Sequence, residues 1–127
     1  LFLMRQMQEA FGGNLNVLSG PDEVFVAARM MGADGAIGTT YNLIPKVFVE
    51  ADRAFRAGDI PKAQELQFKA NRAIGAMIRY GGLPAFKVAM GFLGIDCGTA
   101  RRPLVPLDET SKASLRRELE EIGFFEW

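Results

Sequence analysis

The sequence contains no histidine among its 127 residues. This absence excludes Ser-His-Asp and Cys-His catalysis, histidine zinc sites and imidazole acid–base chemistry. The single cysteine, Cys97, excludes an internal disulfide and a thiolate zinc cluster, and nothing in the sequence suggests secretion. We therefore expect a cytoplasmic protein whose chemistry, if any, uses Lys, Tyr, Asp, Glu, Thr or backbone groups.

The chain also lacks an excess of charge and a long apolar run. Its 15 Lys and Arg balance its 15 Asp and Glu, which gives no electrostatic reason to expect nucleic acid or an anionic membrane as a partner. No apolar run is long enough to span a bilayer. We see no signal peptide, and a start at Leu1 without Met is consistent with a lost natural beginning. The length predicts one structural unit with a core of its own.

A repeated pattern of proline followed by glycine predicts most of the helices. Proline fits the first turn of a helix and glycine fits the residue after its last turn. Further helices are indicated by apolar residues at helical spacing and, at the last one, by Asp108 as a cap. The predicted helices cover Leu1–Phe11, Pro21 to about Met31, Pro45–Gly58, Pro61–Gly81, Pro84–Gly94 and the segment after Asp108 that carries Leu115, Leu119 and Ile122.

Two short apolar runs, Leu15–Leu18 and Ala36–Gly38, predict buried strands on either side of the second helix, and the second strand is expected to extend over Ala36–Thr40. A strand, a helix and a strand in so few residues form a βαβ unit with parallel strands. The segment Gly32–Asn42 ends in hydroxyl and amide side chains, at the edge where parallel folds bind ligands. Two strands leave open edges, so another polypeptide, copies of this chain or rearranged helices must cover them.

Several segments together resemble the N-acetylneuraminate lyase and dihydrodipicolinate synthase family. Leu18–Glu23 reads LSGPDE, Gly32–Asn42 reads GADGAIGTTYN and Arg102–Leu107 reads RPLVPL. The likeness extends in order over nearly the whole chain, including Ala57–Ile60 and Ala63–Gln67. It implies class I aldolases built on a (β/α)8 TIM barrel with extra C-terminal helices. It also implies a Schiff base between a lysine and pyruvate, no metal, no cofactor, and tetramers as the common assembly.

The resemblance implies that this chain corresponds to the C-terminal portion of such a barrel. The expected fold class is α/β but predominantly helical, with a partial barrel of two parallel strands over residues 1–42. The last barrel helix and the C-terminal helical extension are expected over residues 43–127. The family's Schiff-base lysine, catalytic tyrosine and carboxylate-binding loop precede the matching portion, so no catalytic residue is assigned here.

The resemblance also implies a set of substrate-binding residues. The sialic acid lyases of the family hold the sugar's polyol tail with glycine, aspartate and glutamate after the seventh strand and serine after the eighth. These positions correspond to Gly20, Asp22, Glu23 and Thr39, where threonine keeps the hydroxyl of serine. Pro21 replaces a residue that is often aromatic in the lyases, which leaves the sugar specificity open.

Structural alternatives exist for these residues. Asp22 and Glu23 also suit the N-terminus of the following helix, which is the role we favour in the isolated chain. The hydroxyls of the segment Thr39–Tyr41 could bond to nearby backbone. All lysines fall in predicted helices, and Lys87 is the least unsuitable of them for a Schiff base. Cys97, with no base available, is expected to be an inert thiol.

The resemblance implies that the chain is half of a lyase-type aldolase, and we expect this half to be inactive alone. The intact family enzyme would cleave a sialic acid reversibly to pyruvate and N-acetylmannosamine. Its partners would be pyruvate, the sugar acid, and either identical subunits or a complementing N-terminal half. The alternatives are a non-catalytic half barrel that associates with itself, or the equivalent part of a dihydrodipicolinate synthase.

Overall fold

The computed structural model describes all residues, 1–127, and the chain is predominantly helical, as predicted. Three short 3-10 helices lie at Asp22–Val24, Thr40–Asn42 and Phe124–Glu126. The α-helices are α1 (Phe2–Ala10), α2 (Phe25–Met30), α3 (Pro45–Arg56), α4 (Ile60–Arg79), α5 (Leu83–Phe92) and α6 (Glu109–Glu121), and the strands are β1 (Leu18–Ser19) and β2 (Gly35–Ala36).

Proline and glycine set the helix ends as the sequence predicts. Pro45 is the first residue of α3, and Pro61 and Pro84 are the second residues of α4 and α5. Gly58 follows α3 with φ 78°, a left-handed conformation that favours glycine after a helix.

The last helix, α6, begins at a capped N-terminus. The carboxylate of Asp108 accepts a hydrogen bond of 2.7 Å from the backbone N–H of Ser111. This cap satisfies one of the N–H groups that a helix N-terminus leaves without an intrahelical partner. Leu115 and Leu119 on the same helix are fully buried, which confirms the predicted apolar face.

The two strands pair in parallel, with Leu18 opposite Gly35 and Ser19 opposite Ala36. The parallel arrangement was predicted, but the predicted lengths and burial were wrong. Each strand has only two residues, Leu18 is 51% exposed and Ile37 is 69% exposed. Each strand has a partner on one side only, so the ladder is short and side chains of the apolar runs face solvent.

The chain forms two compact units, Leu1–Phe68 and Lys69–Trp127, with the boundary inside α4. The predicted division into a barrel segment and a helical extension at residue 42 stays a prediction. None of the helices combines the length and the apolar composition needed to cross a membrane. The buried apolar side chains of the first unit include Phe25, Val26, Leu43, Ile44, Val47, Phe48 and Leu66, and those of the second unit include Ile74, Met77, Leu115, Leu119 and Phe124.

Candidate functional site

The carboxyl ends of the two strands lie side by side. The backbone N–H of Asp34 donates to the carbonyl of Val17 at 2.8 Å, and its carboxylate accepts from the Val17 N–H at 2.7 Å. At the other end of the ladder, the Ile37 N–H donates to the Ser19 carbonyl at 2.9 Å. These bonds bring together the loop that starts at Gly20 and the loop that follows Ile37, as the sequence predicts.

Asp22 joins these two loops. Its side chain is buried, with 8% of the residue exposed, and Oδ2 accepts a hydrogen bond of 2.7 Å from the backbone N–H of Thr40. The same oxygen also accepts from the Thr40 hydroxyl. The carboxylate therefore caps the 3-10 helix Thr40–Asn42 of the second loop.

One structural alternative from the sequence is confirmed and one is revised. Asp22 and Glu23 lie in the first turn of the 3-10 helix Asp22–Val24, which is the helix N-terminal position expected from the sequence, and the Asp22 carboxylate is also directed to Thr40. The Thr40 hydroxyl bonds to this carboxylate and not to nearby backbone. The cause of the revision is the parallel pairing, which places side chains 18 residues apart within hydrogen-bond reach.

Gly38 provides the space that this contact requires. A Cβ atom at this position would overlap Oδ1 of Asp22 and would stand 2.9 Å from Oδ2. Real Cβ atoms essentially never approach another heavy atom so closely. The backbone of Gly38 does not have a positive φ, so glycine is needed here for space and not for conformation.

Gln67 of α4 holds the first loop from the other side. It is 7% exposed, its Nε2 donates to the Asp22 carbonyl at 3.0 Å, and its Oε1 accepts from the Val26 N–H at 2.9 Å. Helix α2 has no side-chain cap of its own, so this amide satisfies a backbone donor in its first turn. Sequence reasoning missed Gln67, although its place between Ala63 and Ala70 on the apolar face of α4 was a signal.

The other three residues assigned by resemblance reach solvent at the strand ends. Gly20, Glu23 and Thr39 are exposed, whereas Asp22 is buried. A carboxylate and a hydroxyl at one sheet edge can accept hydrogen bonds from the hydroxyl groups of a ligand, and the threonine can also donate. The structure thus brings the four assigned residues to one edge but separates Asp22 from the others by burial.

Tyr41 lies between this edge and an aromatic cluster. Its ring packs edge-on against Phe25 and Phe48, with ring centroids 6.0 Å and 4.4 Å away. Its hydroxyl is buried and has no hydrogen-bond partner. Burial raises the pKa of the Tyr41 phenol, and the charges of Asp22 and Glu23 raise it further. The hydroxyl therefore stays protonated near neutral pH and cannot serve as a base there.

The lysines lie outside this site's two strands. All five are in α-helices, as the sequence predicts. No group of three or more Cys, Asp or Glu side chains is arranged to hold a metal ion. The lysines are Lys46 in α3, Lys62 and Lys69 in α4, Lys87 in α5 and Lys112 in α6.

Known proteins resemble this chain in sequence and in fold. The chain is 40% identical over 106 residues to the N-acetylneuraminate lyase of Rhizobium meliloti, an alignment that covers 84% of this chain and 36% of the relative. It superposes on Proteus mirabilis N-acetylneuraminate lyase with a TM-score of 0.90 and 32% identity, covering 97% of this chain and 42% of that one. A variant of the Sulfolobus solfataricus 2-keto-3-deoxygluconate aldolase gives a TM-score of 0.87 at 27% identity, with 96% and 42% covered.

These matches agree on the fraction of each relative's length that this chain covers. It spans about two fifths of the length of the relatives, which is consistent with the partial barrel expected from the sequence. The sequence model of the dihydrodipicolinate synthetase family matches residues 1–122. The chain therefore belongs to the dihydrodipicolinate synthetase family.

Proposed function

We propose that this chain is the sugar-tail-binding part of an aldolase that resembles N-acetylneuraminate lyase. The observation that carries the proposal is the meeting of Gly20, Glu23 and Thr39 at the carboxyl ends of two paired parallel strands. This is the edge where barrel enzymes bind their substrates. The identity of 40% to a lyase named for N-acetylneuraminate supports the choice of substrate class.

In this proposal, the residues at the edge have different roles in binding. The exposed Glu23 carboxylate accepts hydrogen bonds from the hydroxyl groups of the sugar acid, and the Thr39 hydroxyl donates or accepts one more. Asp22 acts through the second loop, because its carboxylate already accepts two hydrogen bonds from Thr40. It thereby positions the loop that carries Thr39 and does not need to touch the sugar.

We further propose that the 127-residue chain has no aldolase activity alone. The resemblance implies a Schiff base on a strand lysine, whereas every lysine here is in a helix. Lys62 and Lys112 pair with glutamates at 2.9 and 2.7 Å, and Lys69 stacks on the ring of Trp127. A Schiff-base lysine instead needs a site that lowers its pKa. Incubation with pyruvate and borohydride should give no mass adduct, and a stoichiometric adduct would refute the proposal.

A chimeric enzyme tests the proposed function directly. The N-terminal portion of the Rhizobium meliloti lyase would be joined to this chain at the start of their aligned region. We expect the chimera to release pyruvate from N-acetylneuraminate. A folded chimera that acts only on 2-keto-3-deoxygluconate would contradict the assigned substrate. A chimera that acts only as a dihydrodipicolinate synthase would favour the alternative drawn from the sequence.

A second candidate function, self-association without catalysis, is favoured by the exposed apolar surface. Helix α1 exposes Phe2 (72%), Leu3 and Met7, and both strands have an open edge. Exposed apolar patches and open strand edges are typical of surfaces that bind another chain. Sedimentation velocity at micromolar concentration should therefore show dimers or larger species. A clean monomer would contradict the self-association candidate and would leave a complementing N-terminal half as the expected partner.

The proposed cellular location and cofactor requirement follow from the composition and the family resemblance. With one cysteine, the chain forms no internal disulfide, and the family resemblance implies chemistry without a metal. We therefore expect it to act in the cytoplasm and without a cofactor.

A further inference from the structure

A cavity lies in the unit Lys69–Trp127, separate from every residue assigned to the strand-end site. Its volume is about 410 Å³, and it is lined by residues of α5, of the loop between α5 and α6, and of α6. This volume lies in the usual range for small-molecule pockets, roughly 300–1,000 Å³. The family resemblance assigns no role to these residues, and the inference does not rest on the proposed function.

The cavity contains a half-buried cation that has no carboxylate partner. Lys87 Nζ donates a hydrogen bond of 2.6 Å to the backbone carbonyl of Cys97, and no carboxylate oxygen lies within 4.0 Å of it. An ammonium group has three N–H donors, so this bond leaves two of them for a ligand. Removing a cation from water is costly unless an anion or several acceptors replace the water. The charge of Lys87 therefore borders the cavity without an anion paired to it.

The remaining lining residues indicate the rest of the ligand. Val88, Phe92 and Leu107 form apolar walls beside Lys87. The lining also contains Asp96 and Lys112, and Lys112 pairs with Glu109 at 2.7 Å, so Lys87 is the lysine of this wall that has no carboxylate partner. Asp96 is exposed, and its Oδ1 accepts a hydrogen bond of 2.8 Å from the Gly98 N–H.

We propose that this cavity binds a small organic monocarboxylate with a compact apolar body, whose carboxylate pairs with Lys87. The carboxylate accepts the two free N–H groups of the ammonium, and the apolar body packs against Val88, Phe92 and Leu107. A purely inorganic anion lacks the apolar contacts, and a neutral molecule of the same shape lacks the charge. Both parts of the ligand are therefore needed, as is usual where an apolar pocket has one charged group.

Binding of benzoate to the full 127-residue chain tests this proposal by amide NMR. Benzyl alcohol has nearly the same shape without the charge, and inorganic phosphate has charge without an apolar body. We expect benzoate to shift the amide signals of Lys87, Val88 and Phe92 saturably. We expect benzyl alcohol to bind at least about tenfold more weakly than benzoate, because it lacks the charged partner for Lys87. We expect phosphate to bind at least about tenfold more weakly as well, because it lacks the apolar contacts.

Two variants of Lys87 and one control lysine complete the test. Lys87→Met keeps the apolar stem and should abolish saturable benzoate binding, whereas Lys87→Arg keeps the charge and should bind within about threefold of the wild type. Lys46→Met, at an exposed position of α3, should bind as the wild type does. Unchanged benzoate affinity in Lys87→Met would overturn the proposal, as would absence of a saturable shift in the wild type or equal affinity for benzyl alcohol.

Discussion

Substitution of Gly38 by alanine is expected to destabilise the first unit strongly, although it adds a single methyl group. The new Cβ would overlap Oδ1 of Asp22 and would lie 2.9 Å from Oδ2. Asp22 is buried and tied to Thr40, so the carboxylate cannot move away without breaking the 2.7 Å bond to the Thr40 N–H. The clash is thus converted into the loss of hydrogen bonds.

The magnitude of this effect follows from two contributions. Overpacking of a filled site costs about 1–3 kcal/mol, and a hydrogen bond to a buried charged group contributes about 1.5–3 kcal/mol. The overpacking cost and the hydrogen-bond cost do not add, because a shift of Asp22 that relieves the overlap is the same shift that breaks the bonds. We expect Gly38→Ala to lower the free energy of unfolding by about 3 kcal/mol.

Urea unfolding followed by circular dichroism measures this change, with Gly20→Ala as the matched control. Gly20 also lacks a positive φ, and a Cβ there would meet nothing within 4 Å, so its substitution should change the stability by less than about 0.5 kcal/mol. In an Asp22→Ala background, Gly38→Ala should cost little, because its collision partner is gone. A cost of about 3 kcal/mol that persists in this background would refute the reasoning.

Three further predictions concern the same fold. Gln67→Leu leaves the buried Val26 N–H without its partner and removes one of the two hydrogen bonds to the Asp22 carbonyl, so it should lower the unfolding free energy by about 2 kcal/mol in urea. The exposed Gln64→Leu should be nearly neutral, and similar effects of the two substitutions would be inconsistent with these bonds. Tyr41→Phe removes a buried hydroxyl that has no partner and should keep or raise the urea midpoint, so a clear decrease would show that the hydroxyl is hydrogen-bonded. The hydrogen bond from the Ser111 N–H lowers the pKa of Asp108 in the folded protein below its ordinary value of 3.8. The ionised cap therefore stabilises the fold above pH 3.8, and this stabilisation is lost as the pH falls through the pKa of the folded state. The acid unfolding curves of the wild type and Asp108→Ala should therefore converge below about pH 4, and a gap that stays constant there would contradict this sign.

The sequence predicted the helices well because their signals are local. Pro45 and Gly58 act through their own backbone conformations, and Asp108 caps the helix that it precedes. The parallel pairing of the strands was also predictable, because a short helix between two apolar runs leaves few other topologies. Strand length was not predictable, since it depends on neighbouring strands and not on the run itself.

The substrate-binding role of the four assigned residues stays a prediction, and the contacts that the structure shows among these residues were not predicted. Resemblance assigned Asp22 together with Glu23, yet the structure buries the first and exposes the second. The reason is a contact over 18 residues, from Asp22 to Thr40, that no local pattern encodes. The Gln67 amide, 45 residues from Asp22, belongs to the same class of long-range contact. Its polarity on an apolar helix face was the one clue that the sequence offered.

The role proposed for the Thr39 hydroxyl at the strand ends is to hold the polyol tail of a sugar acid. The most direct test is kcat/KM for N-acetylneuraminate in the chimeric lyase, compared between Thr39→Ser and Thr39→Val. Serine keeps the hydroxyl, and valine keeps the shape without it. We predict that the serine variant stays within about twofold of the parent and that the valine variant falls about threefold to tenfold, the effect of one lost hydrogen bond. Equal values for the two variants would contradict the claim.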